Sequence, residues 1–215
     1  MRVEIVLMAG KKRTGKNTAA TAAADYLSKQ WWHTYSMAFA DELRRELTLL
    51  NPQIGISAYT GRMTRWQDVV KRYGYEEAKE KFPEMRRLQQ VYGTEVRRAE
   101  DKDVWCRHVE RKIRQIMDIA QPAQKIAIFV TDLRFENELR YIAKQFPVSV
   151  IYTTRPIDTK DSHASEDLSW LDRWIENPPI LTGPADSVVI HRIHADSIEA
   201  VKAAAVVWAK KEAAR

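Results

Sequence analysis

A glycine-rich loop placed directly between an apolar run and a helical segment constrains this chain most. Residues 3–8 are short, apolar and rich in β-branched side chains, which predicts a strand buried on both faces. Residues 18–29 carry closely spaced alanines, which predicts a helix. Between them, Gly10, Gly15 and Lys16 stand at the spacing G-x-x-x-x-G-K. A strand, such a loop and a helix in succession predict the first unit of an α/β fold.

This loop has the chemistry of a Walker A site for nucleotide phosphates. Glycines let the backbone approach an anion closely, the helix amino terminus directs N–H groups at it, and Lys16 adds a positive charge. A basic turn without a ligand is the plain alternative. The predicted binding residues of the loop are Gly10, Lys12, Arg13, Thr14, Gly15, Lys16, Asn17 and Thr18.

Position 17 departs from the strict pattern, in which Ser or Thr follows the lysine and holds magnesium. Asn17 stands there instead, and Thr18 follows it. Either Thr18 supplies the hydroxyl, as in the G-K-x-T arrangement of nucleoside monophosphate kinases, or Mg²⁺ is held mainly through water. Loss of metal-dependent phosphoryl transfer is a third reading. The guanidinium group of Arg13 could stabilise negative charge on a migrating phosphoryl group. Alternatively, Arg13 is a solvated side chain without such a role.

The remainder of the chain alternates extended and helical segments, which predicts a parallel sheet covered by helices on both faces. In such sheets ligands bind beyond the carboxyl ends of the strands. The further predicted strands are residues 35–39, 126–130, 148–152 and 187–191.

Asp132 follows one of these strands, where an acid that orients magnesium-bound water or an acceptor belongs. Arg134 is expected to reach the same crevice and bind phosphate. Glu138 lies one helical turn further on, and an ion pair with Arg134 is the simplest account of it. Read without the loop upstream, Asp132 is an ordinary turn or helix-cap residue.

Residues 86–95 join a basic, amide-rich helix face to a glycine at position 93, which is expected to end or kink the helix. Arg87 suits a monophosphate, and Gln90 suits the edge of a base. The same pattern fits a solvated helix face. Trp105 is either a core residue or a stacking platform for a base.

Composition narrows the class of protein. The 215 residues suit one buried core, and their formal charge of +6 favours polyanionic ligands. The basic residues are dispersed in pairs, which fits a phosphate pocket better than a duplex-binding stripe. A single cysteine, Cys106, excludes an intramolecular disulfide, and His163 lacks partners at metal-ligand spacing. With neither a membrane-spanning run nor a signal-peptide pattern, we expect a cytoplasmic protein.

Taken in order, these blocks resemble the phage-encoded deoxynucleoside monophosphate kinases, a branch of the P-loop kinase superfamily. They span most of the chain. The departures are Asn17, where family members tend to carry Asp, and residues 51–82, which match no block. The matching blocks are residues 10–18, 86–90, 93–95 with Trp105, 131–134 with Glu138, 155–156 and 163–166.

The resemblance implies a single domain, 1–215, with the three-layer P-loop kinase fold, an acceptor-binding region over residues 51–120 and a lid over residues 155–184. It implies transfer of phosphate from ATP, with Mg²⁺, to a deoxynucleoside monophosphate. The implied catalytic residues are Lys16, Arg13, Asp132, Arg134 and Arg155. The implied acceptor-binding residues are Arg87, Gln90, Thr94, Glu95, Trp105, Arg134, Glu138 and His163. The implied metal-binding residues are Thr18 and Asp132, directly or through water.

The expected partners are small nucleotides, with neither membrane nor stable nucleic-acid binding. A homodimer stays open, and a phage-encoded chain would act in the host cytoplasm.

Three other functions fit the loop. They are phosphorylation of a coenzyme precursor or nucleoside, ATP hydrolysis stimulated by nucleic acid, which the positive charge suggests, and nucleotide binding without catalysis, which Asn17 suggests.

Overall fold

The computed structural model describes residues 1–56, 61–156, 167–179 and 188–215. They divide into two compact units. The first consists of Met1–Phe39 and Cys106–Arg215, and the second of Ala40–Trp105. The expected acceptor-binding region, residues 51–120, covers most of the second unit. Its last residues, 106–120, belong to the first unit.

Strands and helices alternate along most of the described chain. The strands are β1 (Arg2–Ala9), β2 (Trp32–Met37), β3 (Gln53–Ile56), β4 (Met63–Arg65), β5 (Lys125–Leu133), β6 (Val148–Thr154) and β7 (Val188–His194). The helices are α1 (Lys16–Ser28), α2 (Ala40–Leu50), α3 (Trp66–Tyr73), α4 (Tyr75–Lys81), α5 (Pro83–Gln90), α6 (Arg98–Glu100), α7 (Val104–Asp118), α8 (Glu136–Ala143), α9 (Ser169–Glu176) and α10 (Ile198–Ala214), with a π-helical segment, Val91–Arg97, between α5 and α6.

Five parallel strands of the first unit form one sheet in the order β2-β5-β1-β6-β7. From β1 the chain runs to β2 at one edge of the sheet, and from β6 it runs to β7 at the opposite edge. The topological switch point of the sheet therefore lies between the carboxyl ends of β1 and β6, where ligands of open α/β sheets bind. The loop after β1 occupies this position.

Small side chains let helices pack closely on one face of the sheet. Val6 and Met8 of β1 and Phe129 of β5 contact a cluster that includes the alanines of α1 and the Ala205 turn of α10. Ile5, Leu7 and Ile128 point to the other face and are equally buried. The central strands are thus covered on both sides, which explains their uninterrupted apolar sequences.

The predicted α/β class with a mainly parallel sheet flanked by helices is confirmed. Predicted boundaries were less accurate: the segment predicted as residues 35–39 is β2, which begins at Trp32 and ends at Met37. Helix α1 begins at Lys16 rather than at residue 18, so the lysine of the loop belongs to the first helical turn. Within the described residues, each helix is too short or too polar to cross a membrane.

The second unit has a small core of its own. A two-stranded antiparallel sheet, β3 with β4, precedes three short helices. Trp66 is fully buried, and its indole N–H donates to the Thr48 hydroxyl at 3.2 Å. Val69, Ala78 and Met85 are buried as well. Residues 51–82, which match no block of the resemblance, therefore contribute core side chains at Trp66, Val69 and Ala78.

The helix that begins at Pro83 does not end at Gly93. It widens into the π-helical turn instead, and Gly93 lies inside that turn. A Cβ at Gly93 would come 2.9 Å from a Leu43 methyl group, so the small residue lets the widened turn approach α2. Segments of this kind are rare and are found frequently at functional sites.

Candidate functional site

Left-handed backbone conformations shape the loop between β1 and α1. Gly10, Arg13 and Gly15 have φ angles of 146°, 64° and 95°. A Cβ at Gly10 would lie 2.4 Å from the Thr153 hydroxyl oxygen and 2.5 Å from the Thr153 carbonyl oxygen, so only glycine fits there. A left-handed conformation costs a residue such as Arg13 about 1–2 kcal/mol. Surrounding contacts must hold the loop in this shape.

The amino terminus of α1 is open to an anion. Gly15 is its N-cap residue and has no side chain to cap it, and the described first turn contains no acidic residue. The first intrahelical bond runs from the Ala19 N–H to the Gly15 carbonyl at 2.8 Å. The positive end of the helix dipole is therefore not neutralised by an acidic side chain of that turn, which favours phosphate.

Lys16 folds back onto the loop. Its Nζ donates to the carbonyl oxygens of Gly10 and of Lys11, the latter at 2.7 Å. These neutral acceptors are weaker partners than a phosphate oxygen would be. The ammonium group is thus held within the loop, where a triphosphate could draw it from the carbonyls.

A pair of buried hydroxyls ties the loop to β6. Thr14 and Thr153 are buried, and their Oγ1 atoms lie 2.9 Å apart. Thr14 Oγ1 also donates to the Lys11 carbonyl at 2.8 Å, and Thr153 Oγ1 donates to the Ala9 carbonyl at 3.2 Å. Two hydroxyl protons are available for these three contacts, so at any moment either both hydroxyls donate to the carbonyls or one of them donates to the other hydroxyl. Sequence reasoning missed Thr153, because a threonine at the end of a strand carries no signal by itself.

Arg155 reaches the loop from the end of β6. Its Nη1 donates to the Arg13 carbonyl at 3.3 Å. Its Nε is buried and has no hydrogen-bond partner within the described part of the chain. The structure therefore brings Arg155 to the loop, and the half-buried guanidinium retains donor capacity.

Asp132 lies near the carboxyl end of β5, the strand that pairs with β1. Ala9, the last residue before the loop, pairs with Leu133. One carboxylate oxygen of Asp132 accepts the Phe39 N–H at 2.7 Å. Asp132 thus links the ends of β2 and β5 at the carboxyl end of the sheet, where the loop begins, and its role toward magnesium or an acceptor stays a prediction.

Arg134 lies just beyond β5, and its backbone is held by Glu138. The Glu138 Oε2 atom accepts the N–H groups of Arg134 and Phe135 at 2.9 and 3.0 Å. Glu138 is 1% exposed and caps α8 from the third position of the helix. The role seen for Glu138 is thus a backbone cap, and its ion pair with the Arg134 side chain stays a prediction.

In the second unit, Arg87 and Gln90 lie one turn apart on α5. Nε and Nη2 of Arg87 donate to the two carboxylate oxygens of Glu84, at 2.8 and 2.7 Å. Hydrogen bonding to Arg87 lowers the pKa of Glu84, and the pKa of Arg87 is raised by the same pair. Arg87 is exposed, so any anionic ligand would have to compete with Glu84 for a solvated side chain.

Thr94 and Glu95 lie in the π-helical turn, where Thr94 is half-buried and Glu95 is exposed. Trp105 is 2% exposed, and its indole N–H donates to the Gly93 carbonyl at 3.2 Å. This burial corrects the expectation of Trp105 as a stacking platform in this structure: the ring supports the turn from within. Its predicted acceptor contact has no exposed face to use.

Other predicted residues fall at the margin of the site. Thr18 is half-buried and Asn17 is exposed, both in the first turn of α1. Lys12 is half-buried in the loop. His163 lies outside the described residues, as do residues 157–166 and 180–184 of the predicted lid, residues 155–184.

The first unit is thus an α/β domain whose glycine-rich loop lies at the switch point of a parallel sheet, beside Asp132 and Arg155. No protein-family model matches the chain, and a search of curated proteins found no match either. Function must therefore be inferred from the residues of the site.

Proposed function

We propose that this chain is a P-loop kinase that transfers the γ-phosphate of ATP to a nucleoside monophosphate, with a deoxynucleotide as the expected acceptor. The observation that carries the proposal is the loop at residues 10–18. Its lysine, its two left-handed glycines and an uncapped helix amino terminus converge at the switch point of the sheet. In this proposal the fold is that of the P-loop kinases.

The donor triphosphate would lie along the loop. The amino-terminal N–H groups of α1 would bind its oxygens, and Lys16 would exchange the carbonyls of Gly10 and Lys11 for the β- and γ-phosphates. Arg155 already contacts the loop and would balance charge on the transferring group, together with Arg13 and Arg134.

Asp132 and Thr18 fit a magnesium ion that accompanies ATP. Mg²⁺ usually keeps several waters and takes one or two carboxylates besides phosphate oxygens. Asp132 is half-buried at the end of β5, and the Phe39 N–H fixes one of its oxygens. Such a fixed acid suits an ion held through water, with the Thr18 hydroxyl one helical turn from Gly15. Bound Mg²⁺ would neutralise charge between the β- and γ-phosphates.

The reaction needs no covalent intermediate with the protein. A phosphate oxygen of the monophosphate forms the new bond to the γ-phosphorus, and the bond to the β,γ-bridging oxygen breaks, which leaves ADP. The acceptor phosphate has its second pKa near 6, so it is largely a dianion at neutral pH and loses no proton in the step. The residues of the site contribute position and charge.

The second unit is proposed to bind the acceptor. Arg87 would grip the monophosphate, and Gln90, Thr94 and Glu95 would contact the sugar and base. The π-helical turn supports this assignment, since it is an uncommon backbone form kept in place by Gly93 and by the buried Trp105.

A panel of acceptors tests the proposal. The chain is incubated with ATP, Mg²⁺ and each deoxynucleoside monophosphate, ribonucleoside monophosphate or nucleoside, and the products are separated. We expect one or more diphosphates and an equal amount of ADP. Lys16→Met should lower turnover about 100-fold or more. Lys29→Met, at the exposed opposite end of α1, is the matched control and should keep wild-type turnover.

Other outcomes would replace the proposal. Transfer to nucleosides or coenzyme precursors alone would assign a different small-molecule kinase. Hydrolysis that polynucleotides stimulate, without transfer to any monophosphate, would assign a nucleic-acid-stimulated ATPase. Full activity in Lys16→Met would show that the loop is not the donor site.

A further inference from the structure

A tryptophan of α9 binds the backbone of Arg134. The indole Nε1 of Trp170 donates to the Arg134 carbonyl at 3.3 Å. Trp170 is 6% exposed and packs edge-on against Trp174, with ring centroids 6.1 Å apart. Helix α9 thus reaches the turn that follows β5, about 36 residues away along the chain.

Side chains hold both backbone groups of Arg134. Its N–H is bound by the buried carboxylate of Glu138 at 2.9 Å, and its carbonyl by Trp170. Arg134 lies between β5 and α8, outside regular secondary structure, so neither ladder nor helix bonds fix its backbone. The buried carboxylate of Glu138 and the buried indole of Trp170 fix this backbone instead. They therefore constrain the position from which the Arg134 side chain extends.

Packing alone does not explain the indole. A phenylalanine would fill much of the same apolar volume, and a buried indole N–H needs a partner. Trp174 is the natural comparison, since its N–H goes to the Glu136 side chain at 3.1 Å. The two tryptophans share a helix, a packing contact and near-complete burial, and only Trp170 binds Arg134.

We propose that Trp170 is a positioning residue for phosphoryl transfer, which acts by fixing the backbone from which Arg134 reaches the transferring phosphate. The inference rests on the proposed kinase function and adds a residue of α9 to it. Without the indole N–H, the turn at Arg134 loses the side-chain anchor on its carbonyl. A guanidinium displaced by a fraction of an ångström stabilises the transition state less while ground-state binding of ATP at the loop persists.

The test compares Trp170→Phe with Trp174→Phe, each of which removes one indole N–H and keeps an aromatic ring. We expect kcat of Trp170→Phe to fall about 10- to 100-fold, with a KM for ATP within about twofold of wild type. Trp174→Phe should keep both constants within about twofold. Thermal melting confirms that each variant is folded, and Trp170→Met replaces Trp170→Phe if the latter does not fold.

A double-mutant cycle separates positioning from general packing. In an Arg134→Ala background, adding Trp170→Phe should lower kcat no further, because the indole acts through the missing side chain. Additive losses would assign Trp170 to packing alone and overturn the inference, as would wild-type kcat in Trp170→Phe. If the wild-type chain transfers phosphate to none of the acceptors, the proposed function fails, and this inference fails with it. The first two outcomes leave the proposed function intact.

Discussion

Gly10→Ala tests the geometry of the loop most sharply. The new methyl carbon would lie 2.5 Å from the Thr153 carbonyl oxygen and 2.4 Å from its hydroxyl oxygen. Ordinary contact requires these atoms to move apart by roughly 1 Å. A backbone carbonyl cannot turn aside as a flexible side chain can, so the loop itself must shift. A displacement of about 1 Å is expected to lower kcat/KM for ATP about 100-fold, and overpacking costs about 1–3 kcal/mol of folding stability.

Gly74→Ala is the matched control, because Gly74 also has a positive φ, 71°, but a Cβ there would meet nothing within 4 Å. It isolates backbone strain from steric overlap. Steady-state formation of ADP gives kcat and KM, and thermal melting gives stability, with about 2–4 °C expected per kcal/mol in a chain of this size. We expect both variants to melt lower and only Gly10→Ala to lose activity. A Gly10→Ala protein with wild-type kcat/KM for ATP would show that overlap with Thr153 does not displace the loop.

Three further predictions concern single contacts. Thr153→Val should lower the free energy of unfolding by about 1–3 kcal/mol and raise KM for ATP, while Thr153→Ser restores both; urea denaturation and ATP titration would show this, and an unchanged KM would contradict it. Thr18→Val should raise the Mg²⁺ concentration that gives half-maximal rate, and Thr18→Ser should not; equal Mg²⁺ dependence would leave the ion held through water. Burial favours the neutral form of Glu110, but hydrogen bonds from Tyr141 and Arg114 outweigh it and hold the pKa of Glu110 below its ordinary value of 4.5. The stability from the Tyr141 hydroxyl, about 1 kcal/mol, should therefore be present above pH 4.5 and be lost as the pH falls through the lowered folded pKa. Urea denaturation of wild type and Tyr141→Phe over a series of falling pH values measures it, and a difference between the two that does not shrink as the pH falls would contradict the assignment.

The sequence predicted those features whose determinants lie close together along the chain. The strand at β1, the loop and α1 follow one another within 28 residues, so apolar runs, glycine spacing and alanines were enough. Asp132 was predicted from the end of a single apolar run. Asp132 lies close to the loop only because β5 pairs with β1, where Ala9 and Leu133 are partners in the parallel ladder.

The contacts that the sequence did not predict are long-range. Thr153 meets Thr14 across 139 residues, and Trp170 meets Arg134 across 36. Neither residue has a spacing pattern that marks it, because strand order decides which side chains meet. Glu138 is a case in which a local spacing pattern was present but incomplete as a guide. Its spacing from Arg134 suggested an ion pair, while the observed hydrogen bonds come from backbone N–H groups at the start of α8.

Trp105 and Trp66 show why aromatic residues were hard to assign. Both lie in stretches rich in charge, where an aromatic ring fits either a ligand platform or a local core. The structure buries both rings and gives each indole N–H a partner within the second unit. Burial depends on the whole packing of that unit, which a local pattern does not contain.

The most direct test of the donor site is a crystal structure of the protein with Mg²⁺ and an ATP analogue that cannot be hydrolysed. We expect β-phosphate oxygens about 3 Å from backbone nitrogens at the start of α1, with the Lys16 Nζ moved from the Gly10 and Lys11 carbonyls onto phosphate. A triphosphate bound elsewhere, with Lys16 still on both carbonyls, would contradict this expectation.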